Sequence, residues 1–135
     1  MRWIVAFIAG FLAVFCFHQV AVGLLHSAGV IPSAPFSLTK TSPFGVPAVV
    51  SSAFWGGLWA LVMMAVLKQT KGPVLWLKAA IFGGLAPTLV ALLIVAPLKG
   101  HGFDLAQLPT RFAIGFVLNA LWGIGTLVFL RALPR

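Results

Sequence analysis

Polar residues divide this chain into four long apolar runs. The run from Phe44 to Lys68, FGVPAVVSSAFWGGLWALVMMAVLK, holds no charge until its last residue. A helix lying on a soluble core keeps a polar face, and this run has none. A helix needs about 20 apolar residues to cross the hydrocarbon core of a bilayer. The four runs predict spans over about 3–25, 46–67, 74–95 and 110–130. The fold class predicted is all-α: a polytopic membrane protein of four antiparallel transmembrane helices in a single domain, 1–135.

The intervals carry turn chemistry. Four of the nine prolines (Pro32, Pro35, Pro43 and Pro47) fall between Gly29 and Pro47. Proline removes backbone donors and favours extended or turn shapes, so residues 29–45 read as a non-helical outer loop able to fold back over the bundle. Lys68–Pro73, KQTKGP, reads as a tight turn, with Gly-Pro separating two helices. Residues 97–109, PLKGHGFDLAQLP, read as the second outer loop. Pro87 lies inside the third run. It should kink that helix and free the carbonyl of Gly83. Arg2 followed by an apolar run resembles a signal peptide. The run is too long for one and lacks a small-residue cleavage site, so it is expected to stay as a span.

Composition narrows the chemistry. The chain is 61% hydrophobic and 7% charged, against roughly 25% charged in soluble domains. Asp104 is the only acid, so one chain has no carboxylate pair for acid–base work or hard-metal binding. Cys16 is the only cysteine and lies in an apolar run, where a buried, inert thiol is expected. The formal charge of +8 does not form a nucleic-acid patch. Arg2, Lys68, Lys71, Lys78, Arg131 and Arg135 would share one side of the membrane. Lys40, Lys99 and Arg111, with Asp104, would share the other. The positive-inside rule then puts both termini in the cytoplasm. Trp3 and Trp76 fall where an inner aromatic belt belongs. Trp55 and Trp122 lie deeper and are expected to pack inside the bundle beside their glycines.

A faint internal repeat runs through the spans. Ala53-Phe54-Trp55-Gly56 matches Ala120-Leu121-Trp122-Gly123, and Gly10-Phe11-Leu12-Ala13 matches Gly83-Gly84-Leu85-Ala86. The matching spans share an orientation, which would make a parallel two-helix repeat about an axis along the membrane normal. Small residues common to membrane helices produce such short matches easily.

Each span also carries small or polar residues at spacings of three and four, which share a helix face. They are Cys16, Gln19, Gly23 and His26; then Ser52, Gly56 and Ala60; then Ala80, Gly84, Thr88 and Ala91; then Gly115, Asn119, Gly123 and Thr126. In lipid, such faces let helices approach closely. They are expected to point into the bundle, with Gly23, Gly56, Ala60, Gly84, Gly115 and Gly123 as packing positions. Counted at 1.5 Å per residue, His18, Gln19, Ser52, Thr88 and Asn119 fall at similar depth. Polar side chains are costly in hydrocarbon and seek one another, so these five are expected to form one polar layer. His18 and Gln19, about 100° apart on a helix, cannot both point one way.

Three roles compete for that layer. It is hydrogen-bond glue, or a site for a small polar solute, ion or proton with His18 as the titratable group, or a place where His18 ligates a metal or haem. The last lacks a facing histidine, and His26 with His101 near the outer surface makes an incomplete metal set. No metal or cofactor is expected. Ser51 or Ser52 beside His18 has no orienting acid, which argues against catalysis.

The segments His18-Gln19, Pro43-Phe44-Gly45-Val46-Pro47, Phe54-Trp55-Gly56-Gly57-Leu58-Trp59, Pro97-Leu98-Lys99-Gly100 and Asn119-Ala120-Leu121-Trp122-Gly123 resemble an uncharacterised family of small four-span bacterial inner-membrane proteins. That resemblance covers most of the chain. It implies the bacterial inner membrane and no assigned activity. The first span lacks the acidic residue of small multidrug-resistance pumps. The function expected is that of a non-enzymatic structural or accessory membrane subunit. The alternative is a minimal homo-oligomeric transporter or channel. The partners expected are the lipid bilayer and either further copies or a larger membrane complex, with no nucleic acid.

Overall fold

A computed structural model describes residues 2–41, 44–100 and 105–134 of the protein. Four helices are long and apolar enough to cross a membrane: α1 (Arg2–Ser27), α2 (Ala48–Leu67), α3 (Pro73–Leu98) and α4 (Leu108–Ala132). α1 packs against α2 and α4, α3 packs against α4, and α2 and α3 touch lightly. The edge-on contact of Trp59 with Phe82 belongs to that lighter seam.

Small residues set the close approaches. Ala6, Ala9 and Ala13 are completely buried, and Gly10 lies among them. A Cβ on Gly10 would collide with the Gly56 carbonyl and with Ala60. A Cβ on Gly123 would collide with the Ala79 carbonyl, and one on Gly83 would lie 2.6 Å from the Asn119 carbonyl oxygen. Aromatic rings fill the adjacent notches: Phe7 lies over Gly57, Phe116 over Gly84 and Phe17 over Gly125. Without a water-driven collapse between helices in lipid, such van der Waals fit holds them together. The matched segments of the repeat meet in these seams, Gly10 against Gly56 and Gly83 against Gly123.

Two helices contain a wider turn that the hydrophobic pattern does not announce. In α1, residues Val14–His18 form a π turn, and the Gln19 amide bonds to the Val14 carbonyl. In an unbroken α-helix, residues five apart point about 140° apart. The wider turn stacks Gln19 over Val14, and both are buried. Cys16 is exposed on the opposite side, which corrects the expectation of a buried thiol. In α3, the second π turn covers Ala91–Val95. Pro97 follows it. Proline has no amide to donate and crowds the carbonyl four residues back, which a wider turn relieves. The helix continues through Pro87 and past the expected end of the span, so Pro97 and Leu98 are helical rather than loop. α4 likewise begins at Leu108, with Pro109 in its first turn, where its missing amide costs nothing.

The segment after α1 folds back onto the bundle. Pro35 lies against Gly23. The carbonyls of Thr39 and Ser37 accept from the amides of Ala48 and Val49. They thereby satisfy donors that the first turn of α2 leaves open. A short antiparallel ribbon, β1 (Lys40–Thr41) with β2 (Val46–Pro47), pairs Lys40 with Pro47 and Thr41 with Val46. At the other end of the bundle, Arg131 lies over the Trp76 ring at 4.9 Å and Arg2 over Trp3 at 5.6 Å. His101 and Asp104, like Pro43 and Arg135, lie outside the described residues.

Candidate functional site

The five polar residues expected to form one layer are distributed over two clusters and one isolated position. Asn119 Nδ2 donates to Thr88 Oγ1 at 2.8 Å, joining α4 to α3. Thr88 is buried, and its methyl group faces Gly115, where a Cβ would lie 2.8 Å away. Glycine at 115 therefore lets the two helices come near enough for the Thr88–Asn119 bond.

The second cluster is on α1. Gln19 Nε2 donates to His18 Nδ1 at 3.1 Å, and Gln19 Oε1 accepts the Phe36 amide at 2.7 Å. The π turn places Gln19 on the buried face, and the Gln19 carboxamide reaches the returning loop. Phe36 is the one non-glycine residue with positive φ among the described residues, at 54°. That conformation is unfavourable for an L side chain. The Gln19 bond and the stacking of the Phe36 ring on Phe15, at 6.4 Å between centroids, hold it there.

Ser52 stands apart. It is exposed on α2. Of the interior stripes, Gln19, Gly56, Ala60, Gly84, Thr88, Gly123 and Thr126 are buried; Cys16, His26, Ser52 and Ala91 are exposed. Gly23, Ala80, Gly115 and Asn119 are intermediate. His26 Nδ1 donates to the Ile31 carbonyl at 3.2 Å, near the start of the returning loop. Among the described residues, no three metal-ligating side chains gather.

A third polar contact was not anticipated. The Trp122 indole Nε1 donates to the Gly10 carbonyl oxygen at 3.0 Å, linking α4 to α1. Thr126 Oγ1 donates to the Trp122 carbonyl one turn back. Trp122 is 2% exposed, whereas Trp55 is 57% exposed. The expectation that both pack inside is corrected for Trp55. The two matched tryptophans are not in equivalent surroundings: Trp122 reaches the Gly10 carbonyl of α1, whereas Trp55 lies on an exposed face of α2. The inner face of α1 was also missed. Its signal was present as Ala6, Ala9, Gly10 and Ala13 at three- and four-residue spacing.

Among the described residues, no buried side-chain nitrogen or oxygen lacks a hydrogen-bond partner. Two open cavities among the described residues lie elsewhere. One of about 390 Å³ is lined by Leu89, Leu92, Leu93, Leu105, Leu108, Pro109 and Phe112. The other, of about 260 Å³, lies among Arg2, Met63, Lys68 and Leu127. Neither is lined by His18, Gln19, Ser52, Thr88 or Asn119.

In comparison with known proteins, no family model, no curated protein and no solved structure matches this chain.

Proposed function

We propose that this protein is a non-enzymatic structural or accessory subunit of the bacterial inner membrane, with four antiparallel spans and both termini in the cytoplasm. Opposed contacts along the seams support the antiparallel reading: Ala79 meets Gly123, Gly83 meets Asn119 and Thr88 meets Gly115. The charge distribution supports the orientation, with Arg2, Lys68, Lys71, Lys78 and Arg131 together at one end.

The observation that carries the role is how the interior polar groups are used. Thr88 is bonded to Asn119, Gln19 to the Phe36 backbone, and Trp122 to the Gly10 backbone. Each joins one segment of the bundle to another. A solute path needs polar groups turned toward a shared hydrated space. The polar groups here are turned toward one another.

The test is the native mass of the protein extracted gently from its own membrane. A mass that includes a different subunit is the expected result. A homo-oligomer whose reconstituted vesicles show solute flux lost in a folded Asn119→Leu variant would replace this reading with a transporter.

A further inference from the structure

The end of the bundle that carries Arg2 and Lys68 contains an open, mostly apolar cavity of about 260 Å³. All four helices contribute to it. Val5, Met63 and Leu127 form its buried part; Met64, Leu75 and Leu130 line the rest. Arg2 and Lys68, both exposed, stand with Thr70 among its lining residues. The cavity opens between the ends of α1 and α4 and the lightly packed pair α2 and α3.

Its charge is one-sided. Among the described residues there is no carboxylate, because the single acid of the chain is Asp104. Lys68 therefore has no anionic side-chain partner there, and the Arg2 guanidinium lies over the Trp3 ring. Lys71 and Arg131 add positive charge at the same end. An apolar pocket among apolar helices, with cations at the depth where a helix leaves the hydrocarbon, is complementary to one kind of molecule: an acyl chain with an anionic head. Basic pockets between spans are known to hold acidic lipid headgroups.

We infer that this cavity binds one anionic phospholipid, with an acyl chain against Met63, Leu127 and Leu130 and the phosphate headgroup on Arg2 and Lys68. The volume is below the usual range for a complete small-molecule site and suits part of one chain. The occupant is a lipid rather than a free phosphate because the lining between the cations is apolar.

The experiment is a lipid titration of the purified full-length protein, read by native mass spectrometry from detergent. The probes are phosphatidylglycerol, phosphatidylcholine with the same chains, and inorganic phosphate. One phosphatidylglycerol is expected to bind saturably and in preference to the other two. The double variant Arg2→Gln, Lys68→Gln should weaken it about 30-fold, the contribution of two headgroup cations. Leu130→Trp, which fills the cavity and keeps the charges, should weaken it about tenfold, roughly two displaced methylene groups. Lys99→Gln with Arg111→Gln, at the opposite end, should leave it unchanged. Circular dichroism verifies that each variant is folded. Equal binding of phosphatidylcholine, equal binding of inorganic phosphate, or equal weakening by the Lys99 and Arg111 changes would each overturn the assignment.

Discussion

The Trp122 indole and the Gly10 carbonyl oxygen, 112 positions apart in the chain, meet at 3.0 Å inside the bundle. This bond ties the first helix to the last. The missing side chain at Gly56 leaves room for it: a Cβ there would lie 3.1 Å from the Trp122 indole nitrogen. Trp122→Phe keeps most of the ring and loses the donor. Hydrogen bonds between membrane helices average about 0.6 kcal/mol, so a loss of that order is expected in a reversible unfolding assay. Trp122→Ala should cost about 3–5 kcal/mol through the cavity it leaves. Trp55→Phe, on the outward face of α2, should change stability by less than about 0.5 kcal/mol.

Gly123→Ala tests a seam in which backbone meets backbone. The new Cβ would meet the Ala79 backbone carbonyl, which cannot turn aside. Overpacking of this kind costs about 1–3 kcal/mol. Gly84→Ala meets the Phe116 ring at 2.6 Å instead. That side chain can shift, so the expected loss is smaller. Equal losses in thermal denaturation of the two variants would show that the α3–α4 seam is not limited by its backbones.

Asn119→Leu and Thr88→Val form a double-mutant cycle across α3 and α4. The coupling expected is about 0.6 kcal/mol and no more than about 1.7 kcal/mol. On the proposed role, both variants keep the native mass of the wild type. Loss of a bound subunit in a variant that remains folded would place Asn119 in a partner interface rather than in the bundle seam.

Gln19→Leu should release the returning loop. The Phe36 amide loses its acceptor, and only the stacking on Phe15 is then left to offset its left-handed backbone. Amide exchange at Phe36 is expected to accelerate roughly fivefold, the equivalent of about 1 kcal/mol. Exchange in the middle of α2 should not change. If Phe36 exchange is also unchanged, the loop is held by Pro35 against Gly23 and by the α2 cap instead.

Much of the polar chemistry was legible before the fold, but its pairing was not. Thr88 and Asn119 stand at similar depth by residue counting, and they are hydrogen-bonded. Ser52 stands at the same depth and faces outward. Depth follows from position along a helix, whereas facing depends on rotation about it. α2 is apolar all round apart from Ser51 and Ser52, so no polar stripe sets its rotation. In α1 the difficulty is different. The π turn at Val14–His18 shifts every later residue around the helix, so a stripe counted at constant spacing through Cys16 loses register there.

By itself, the sequence determined the number of long apolar helices, their approximate extents, the clustering of cations and the breaks at Gly72-Pro73 and in the loop after α1. Those properties follow from transfer of apolar residues out of water and from the restricted backbone of proline, both of which act locally. The tertiary structure alone decided which helices are neighbours, that Trp122 is buried while Trp55 is not, and that Gln19 anchors the loop. These outcomes depend on shape. In an apolar surrounding every helix face is nearly equivalent in hydrophobic energy. The choice among faces falls to close fit at Gly10, Gly56, Gly83 and Gly123 and to the few hydrogen bonds that fit allows.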